Sequence, residues 1–190
     1  MILATNNKGK LEEIKKILSS YEIYSLKEKG INIDVIEDQD TILGNARKKA
    51  IEIYKITGEA TIADDSGLFI NCLDGYPGVL THRFLGENAT DKMRNEYLIN
   101  KVNQYQDRSA QFICNLVYFD GINEIIGEGI LNGSISKECR GRNGFGFDEI
   151  FELANGLTLA EISSEEKNDI SARAMAAEDL NKKMIKILKQ

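Results

Sequence analysis

The apolar, β-branched run Ala60-Thr61-Ile62-Ala63 passes without a break into Asp64-Asp65-Ser66-Gly67. Such a run bounded by Ser and Gly reads as a short buried strand ending in a turn, with two carboxylates delivered to the strand's carboxyl end. That pattern points to an open α/β sheet, in which the crevice beyond the carboxyl ends of the strands is where ligands sit. A hard cation such as Mg²⁺ takes one or two carboxylates together with substrate phosphates, so the pair is a candidate metal or acid/base site. Asp-Asp-Ser-Gly is also good turn chemistry, and read alone the stretch fits a structural turn.

The surrounding pattern alternates strands with helices. Met1 to Ala4 reads as a strand, and from Gly9 onward Leu11, Ile14, Ile17 and Leu18 share one helical face, with Glu12, Glu13, Lys15 and Lys16 facing water. The loop between them, Thr5-Asn6-Asn7-Lys8-Gly9-Lys10, offers unpaired backbone N–H groups and the positive end of a helix dipole, a natural anion site to which Lys10 adds a point charge. It is not a Walker A loop, because no earlier Gly precedes it and Leu11 follows the Lys. A helix N-cap flanked by solvated lysines accounts for the same residues.

Tyr21 to Leu26 and Ile31 to Val35 alternate as strands do, and the acidic Glu37-Asp38-Gln39-Asp40 precedes a helix from Thr41 to Thr57 with Asp40 or Thr41 as N-cap. Ile42, Ala46, Ala50, Ile53 and Tyr54 form its buried stripe, and Gly58 ends it. Leu68 to Leu73 reads as a further strand, and Asp74 to Gly78 as a tight loop before Thr81-His82-Arg83, which holds the chain's single His. Thr90-Asp91 caps a helix reaching about Tyr105, with Met93, Tyr97, Leu98 and Val102 on its apolar side. Ser109 to Phe119 and Glu124 to Ile135 are two long antiparallel strands joined at Asp120-Gly121, forming a second layer or lobe. Glycines then crowd into Gly141-Arg142-Asn143-Gly144-Phe145-Gly146-Phe147-Asp148, exposing two aromatics and a carboxylate suited to a planar ring ligand, or else enclosing core phenylalanines. Glu165 to Arg173 leads into a terminal helix with Met175, Leu180, Met184 and Leu188 among its apolar positions.

Composition narrows the function. A length of 190 residues suits one domain, residues 1–190, and a net charge of −6 argues against broad binding to a nucleic-acid backbone, leaving room for a small anion held by a local cluster of Lys and Arg. No stretch has the apolar length of a membrane span or the layout of a signal peptide, which leads us to expect a cytoplasmic protein. The three cysteines, Cys72, Cys114 and Cys139, are widely spaced and suggest neither a disulfide framework nor a zinc site.

In sequence order, Ala4-Thr5-Asn6-Asn7-Lys8-Gly9-Lys10, Ala63 to Leu68, Gly75-Tyr76-Pro77-Gly78-Val79, Gly144 to Asp148, and Glu165-Glu166-Lys167-Asn168 through Ser171-Ala172-Arg173 resemble five motifs of the inosine-triphosphate pyrophosphatase family. The resemblance runs nearly end to end. It implies an α/β fold of two lobes with an elongated mixed central sheet flanked by helices, a nucleotide cleft between the lobes, and a homodimer. It implies Mg²⁺-dependent hydrolysis of nonstandard purine nucleoside triphosphates between the α- and β-phosphates. It further implies that Asn7, Lys10 and Lys49 hold the triphosphate, that Glu37 and Asp65 carry the metal, and that Asp65 orients or deprotonates the attacking water. Thr5, Asn6, Lys8, Gly9, Ser66, Phe145, Gly146, Phe147, Asp148, Lys167, Ala172 and Arg173 complete the expected substrate contacts, with Phe145 stacking on the base and Arg173 donating to a 6-keto oxygen.

Three positions depart from the family pattern. Ala172 stands where the family has His, His82 stands where it has Ala, and Gly44 precedes Asn45-Ala46 where Glu is common, which makes Glu37 the better metal ligand. The loss of the imidazole also leaves open a nucleotide-binding protein of the same fold with impaired turnover, and His82 as a replacement for the missing ring.

Overall fold

The computed structural model describes residues 1–190 apart from Asn6, His82, Glu87, Lys189 and Gln190, and of Lys8 only the backbone. The strands are β1 (Ile2–Leu3), β2 (Tyr24–Ser25), β3 (Thr61–Ile70), β4 (Pro77–Gly78), β5 (Ser109–Phe119), β6 (Glu124–Ile135) and β7 (Phe151–Glu152), and the helices α1 (Lys8–Ile17), α2 (Ile42–Thr57), α3 (Asp91–Val102), α4 (Ser164–Ile170) and α5 (Ala172–Leu188). The strands form one sheet in the order β2-β1-β3-β5-β6-β7, with β4 on β3. β1 runs parallel to β2 and β3, whereas β4 pairs antiparallel with β3 and β7 with β6, so the sheet is mixed and the class is α/β as expected. The chain divides into two compact units, Met1–Ser66 with Cys114–Gly129 and Ala172–Gln190, and Gly67–Ile113 with Ile130–Ser171.

In the first unit the register Ile2↔Thr61 and Leu3↔Ile62 sets β1 beside β3. Because β1 connects through α1 to β2 on its other side, the gap between β1 and β3 is a point where strand order reverses, the place where α/β sheets open to ligands. α2 forms because Thr41 Oγ1 accepts the Gly44 N–H at 3.0 Å at its start and Gly58, with φ +68°, closes its end in the left-handed conformation. Its Ala46, Ala50 and Ile53 pack on Ile2, Ala63 and Val117 of the sheet and on Ala4 just past β1. Ile31 to Val35 forms no strand, yet Ile31, Ile33 and Val35 pack on this same core, so the alternation records burial and not pairing. α1 packs against α5.

The expected turn at Asp64-Asp65-Ser66-Gly67 does not exist. β3 runs straight through it to Ile70, taking in most of the stretch read as a second strand, and a 3₁₀ turn follows at Asn71–Leu73. Gly67 serves close approach: a Cβ there would lie 2.6 Å from the carbonyl oxygen of Gly78 on β4.

The second unit carries α3, whose N-cap Thr90 accepts the Met93 N–H at 3.2 Å. Its buried side is Asn95, Leu98, Ile99 and Val102, and Met93 is exposed, contrary to the expected stripe. β5 and β6 have the bounds read from the sequence, but they belong to the same sheet as β3 and make no separate layer. The terminal helical segment breaks at Ser171 into α4 and α5, α4 starting from a capping box of Ser163 and Glu166.

Candidate functional site

Successive side chains of a strand point to opposite faces, so a strand through Asp64 and Asp65 presents one acid to each side of the sheet. On one face the Asp64 carboxylate takes Lys10 Nζ at 2.8 Å and Arg173 Nε at 3.3 Å, both on Oδ2. Arg173 also reaches Glu13 Oε2 at 3.0 Å. Burial pushes the Asp64 carboxyl up, but Lys10, Arg173 and Lys49 outweigh it and hold the group well below the usual carboxylate range. Burial pulls Arg173 down while Asp64 and Glu13 raise it further, so its charge is fixed.

Asp65, on the other face, is buried beneath α2. Its Oδ2 accepts Asn45 Nδ2 at 3.1 Å and its Oδ1 accepts the Ser66 N–H at 2.8 Å. Burial raises its carboxyl above the ordinary value; Lys49 opposes this, Glu37 adds to it, and the bonds from Asn45 and Ser66 oppose it. Lys49 reaches Glu37 Oε1 at 2.7 Å. Burial lowers the Lys49 ammonium, but Asp64, Asp65 and Glu37 outweigh it, and the net shift is upward.

A cavity of about 180 Å³ is lined by Thr5, Lys10, Glu37, Lys49 and Asp64, with Ile33, Val35 and Ile53 among its apolar walls; Asp65 and Arg173 are not among its lining residues. With the β1 register continued by two residues, Asp64 stands level with Thr5, just past the end of β1. At the start of α1 the N–H groups of Gly9 and Lys10 are taken by Asn7 Oδ1 at 2.9 and 3.3 Å, so Asn7 is the N-cap, as one of the two sequence readings has it, though Lys10 is paired with Asp64 and not solvated. The cations facing the cavity are therefore side chains, Lys10 and Lys49, each already paired with a carboxylate. Ser66 sits half-buried beside Asp65, and Ala172, the first residue of α5, is buried.

The glycine-rich loop lies in the second unit. Phe145 is 56% exposed, whereas Phe147 is buried and stacked on Phe84 at 5.9 Å, so the loop presents one aromatic and not two. Asp148 Oδ2 accepts the Phe145 N–H at 2.8 Å and pairs with Lys167, whose Nζ lies 4.5 Å from the centre of the Phe145 ring. Asp148 is buried and thus serves the loop's own geometry as well as any ligand. Gly146 is held by α3 through Asp91 and Asn95. The expected contacts Asn6, the Lys8 side chain and His82 lie outside the described residues.

Sequence reasoning singled out Asp64 only as one of a pair with Asp65, and it missed Glu13 and Asn45. Asn45 sits on the buried stripe of α2 one position before Ala46, and a buried polar side chain needs a partner, which was the available signal. Helical period turns Glu13 toward water, and its partner Arg173 lies 160 residues away in sequence.

The sequence matches the Ham1 family over residues 1–183. It is 40% identical over 191 residues to a dITP/XTP pyrophosphatase of Clostridium tetani (strain Massachusetts / E88), covering 97% of this chain and 95% of the relative. A dITP/XTP pyrophosphatase of Thermoanaerobacter sp. (strain X514) is 42% identical over 195 residues, covering 100% of this chain and 98% of its own. Among solved structures, a HAM1 protein from Coxiella burnetii superposes with a TM-score of 0.90 at 36% identity, over 97% of this chain and 98% of that one. The Staphylococcus aureus Ham1 protein gives a TM-score of 0.90 at 34% identity, over 96% of each chain.

Proposed function

Because the chain belongs to the Ham1 family, we propose that it hydrolyses nonstandard purine nucleoside triphosphates such as ITP, dITP and XTP to the nucleoside monophosphate and pyrophosphate. We read residues 1–190 as one catalytic domain. The observation that carries the reading is the cavity lined by both Lys10 and Lys49 together with Asp64 and Glu37, at the strand-order reversal between β1 and β3. Two ammonium groups already balanced by carboxylates can take up a polyphosphate as those pairs rearrange, and the low-polarity walls strengthen the attraction.

A divalent ion fits the donor set. Glu37 and Asp65 feel each other's charge, and no group of three His, Cys, Asp or Glu side chains that could hold a metal converges among the described residues. Two carboxylates that need phosphate oxygens to complete the shell are what Mg²⁺ takes. Bound there, Mg²⁺ would neutralise charge on the phosphates. The protein's own part is to hold a water at the Asp65 carboxylate and to keep Lys10 and Lys49 on the phosphate chain. We assign Thr5, Asn7 and the first turn of α1 at Gly9 to the phosphates, and Ser66 supports Asp65.

We assign the base to Phe145, with Gly146, Phe147, Asp148 and Lys167 shaping that loop, and to Arg173, whose fixed charge donates to a 6-keto oxygen and opposes the amino group of adenine. A site built to donate to a keto oxygen loses that bond with adenine and discriminates strongly. Ala172 supplies no polar atom to this set. Three free thiols and the net negative charge fit a cytoplasmic enzyme acting on free nucleotides, in the homodimer that the family resemblance implies. Among the described residues no helix is long and apolar enough to cross a membrane.

The test is pyrophosphate release with Mg²⁺ across ITP, dITP, XTP, GTP and ATP. Turnover of the first three with little of ATP is expected. Tight binding of ITP without pyrophosphate release would mark a nucleotide-binding protein and overturn the assignment.

A further inference from the structure

Gly146, the residue after the exposed Phe145, has both its backbone groups held by one helix. Its N–H donates to Asp91 Oδ2 at 2.9 Å and its carbonyl accepts Asn95 Nδ2 at 3.0 Å, from side chains one turn apart on α3. On the other side the Phe145 N–H is held by Asp148 at 2.8 Å. An aromatic ring this exposed is not fixed by packing, so its direction is set by the backbone that carries it and by Lys167 lying across its face.

Two further observations say that the clamp matters. Asn95 is fully buried, and its Oδ1 has no hydrogen-bond partner among the described residues. A buried unsatisfied acceptor is costly, and an apolar side chain would avoid that cost while losing the donor to Gly146. Beside the loop opens a cavity of about 720 Å³ with Asp91, Ile99, Arg142, Phe145 and Gly146 on its walls. The loop therefore has room to fall away once its anchors are removed.

We propose that Asn95, with Asp91 one turn before it, is a positioning residue for the purine: by gripping both backbone groups of Gly146 it holds the Phe145 ring at the angle on which the base stacks. This rests on the assignment of Phe145 to the base. Neither α3 residue is among those lining the cavity assigned to the phosphates, so the clamp sets the affinity for the base and leaves the chemical step alone.

The experiment measures kcat and KM for ITP, and the inhibition constant of inorganic triphosphate, on the intact chain with Mg²⁺. The variants are Asp91→Ala, Asp91→Asn, Asn95→Asp and Phe145→Ala. Asp91→Ala and Asn95→Asp are expected to raise KM about tenfold, the scale of one lost base stack, with kcat and the triphosphate constant within about twofold of the parent. Asp91→Asn keeps an oxygen that can accept the Gly146 N–H, and it returns KM to near the parent value. If Asn95→Asp fails to fold, the two Asp91 variants decide alone. An unmoved KM in Asp91→Ala overturns the inference, as does a triphosphate constant that rises in step with KM. Phe145→Ala separates the two levels: if it raises KM while the α3 variants do not, the clamp falls and the base assignment stands. If it leaves KM unchanged, the base assignment falls and takes the clamp with it.

Discussion

Asn45 donates its amide to Asp65 Oδ2 at 3.1 Å and accepts the backbone N–H of Gln39 on its Oδ1 at 3.0 Å. One buried side chain thus ties the segment carrying Glu37 to the strand carrying Asp65, the two acids proposed to share a cation. The amide couples the positions of these two acids.

Replacing that amide has two distinguishable effects. Asn45→Ala leaves the Gln39 N–H and an Asp65 oxygen without their partner, which costs about 2 kcal/mol and lowers Tm by about 4–8 °C in a chain of this size. Asn45→Asp keeps the acceptor for Gln39 but turns a negative charge toward Asp65. It is expected to turn over ITP more slowly than Asn45→Ala despite its closer shape. Parallel melting curves and steady-state rates check this, and an Asn45→Asp enzyme faster than Asn45→Ala would show that the donor to Asp65 does not matter.

Much of the fold could be read from the chain because its signals are local. Thr41 and Gly58 bracket α2, and Asp120-Gly121 divides β5 from β6, each by chemistry within a few residues. The reading failed where a distant partner decides. Ser66-Gly67 looked like a turn, but Gly67 is small because the Gly78 backbone lies against it, and nothing near position 67 announces that contact. The same holds for the site: the family resemblance assigns roles to Lys10, Lys49, Glu37 and Asp65, whereas the pairing of Lys10 and Arg173 on Asp64 follows from β3 running on past β1, which a turn at Ser66-Gly67 would not allow.

Asp65 should trade stability for activity. Its carboxyl is raised in the folded state, mainly by burial. Between the ordinary carboxylate value near 3.9 and the raised one, the folded chain binds more protons than the unfolded chain, so stability falls as pH rises through that window and stays lower above it. Asp65→Asn removes the penalty. In chelator, to keep cations from the site, the variant is expected to melt at or above the parent temperature near neutral pH and to match it below about pH 4. Its turnover of ITP falls about 10²–10⁴-fold, the usual loss when a general base is removed. An Asp65→Asn chain clearly less stable than the parent at neutral pH would contradict a buried, penalised carboxylate.

Asp64 should behave in the opposite sense. Burial opposes its ionisation, but Lys10, Arg173 and Lys49 depress its carboxyl below the ordinary range. Its contribution is therefore complete above the unfolded value near 3.9 and is lost as pH falls through the folded value. Asp64→Asn takes the carboxylate from Lys10 and leaves Arg173 with Glu13 alone, and removing one partner of a buried pair costs about 3–5 kcal/mol. Urea unfolding is expected to show that gap near pH 7 and a smaller one near pH 3. A gap of equal size at both would mean that Asp64 acts through packing and not through charge.

Gly144 tests the aromatic platform from its near side. Its φ is +78°, and a Cβ there would lie 2.0 Å from Asp148 Oδ2, the oxygen that takes the Phe145 N–H and Lys167. Alanine at this position costs about 1–2 kcal/mol for the left-handed backbone alone. The Asp148 carboxylate must also swing away, releasing both of its partners. Gly144→Ala is therefore expected to lower Tm by about 3–6 °C and to raise KM for ITP about tenfold, because Phe145 and Lys167 lose their common anchor together. The lysines of the other unit keep their partners, so inorganic triphosphate should inhibit the variant as well as it inhibits the parent. A variant whose Tm falls while its KM holds would mean that Asp148 braces the loop for stability alone and leaves the orientation of the ring to other contacts.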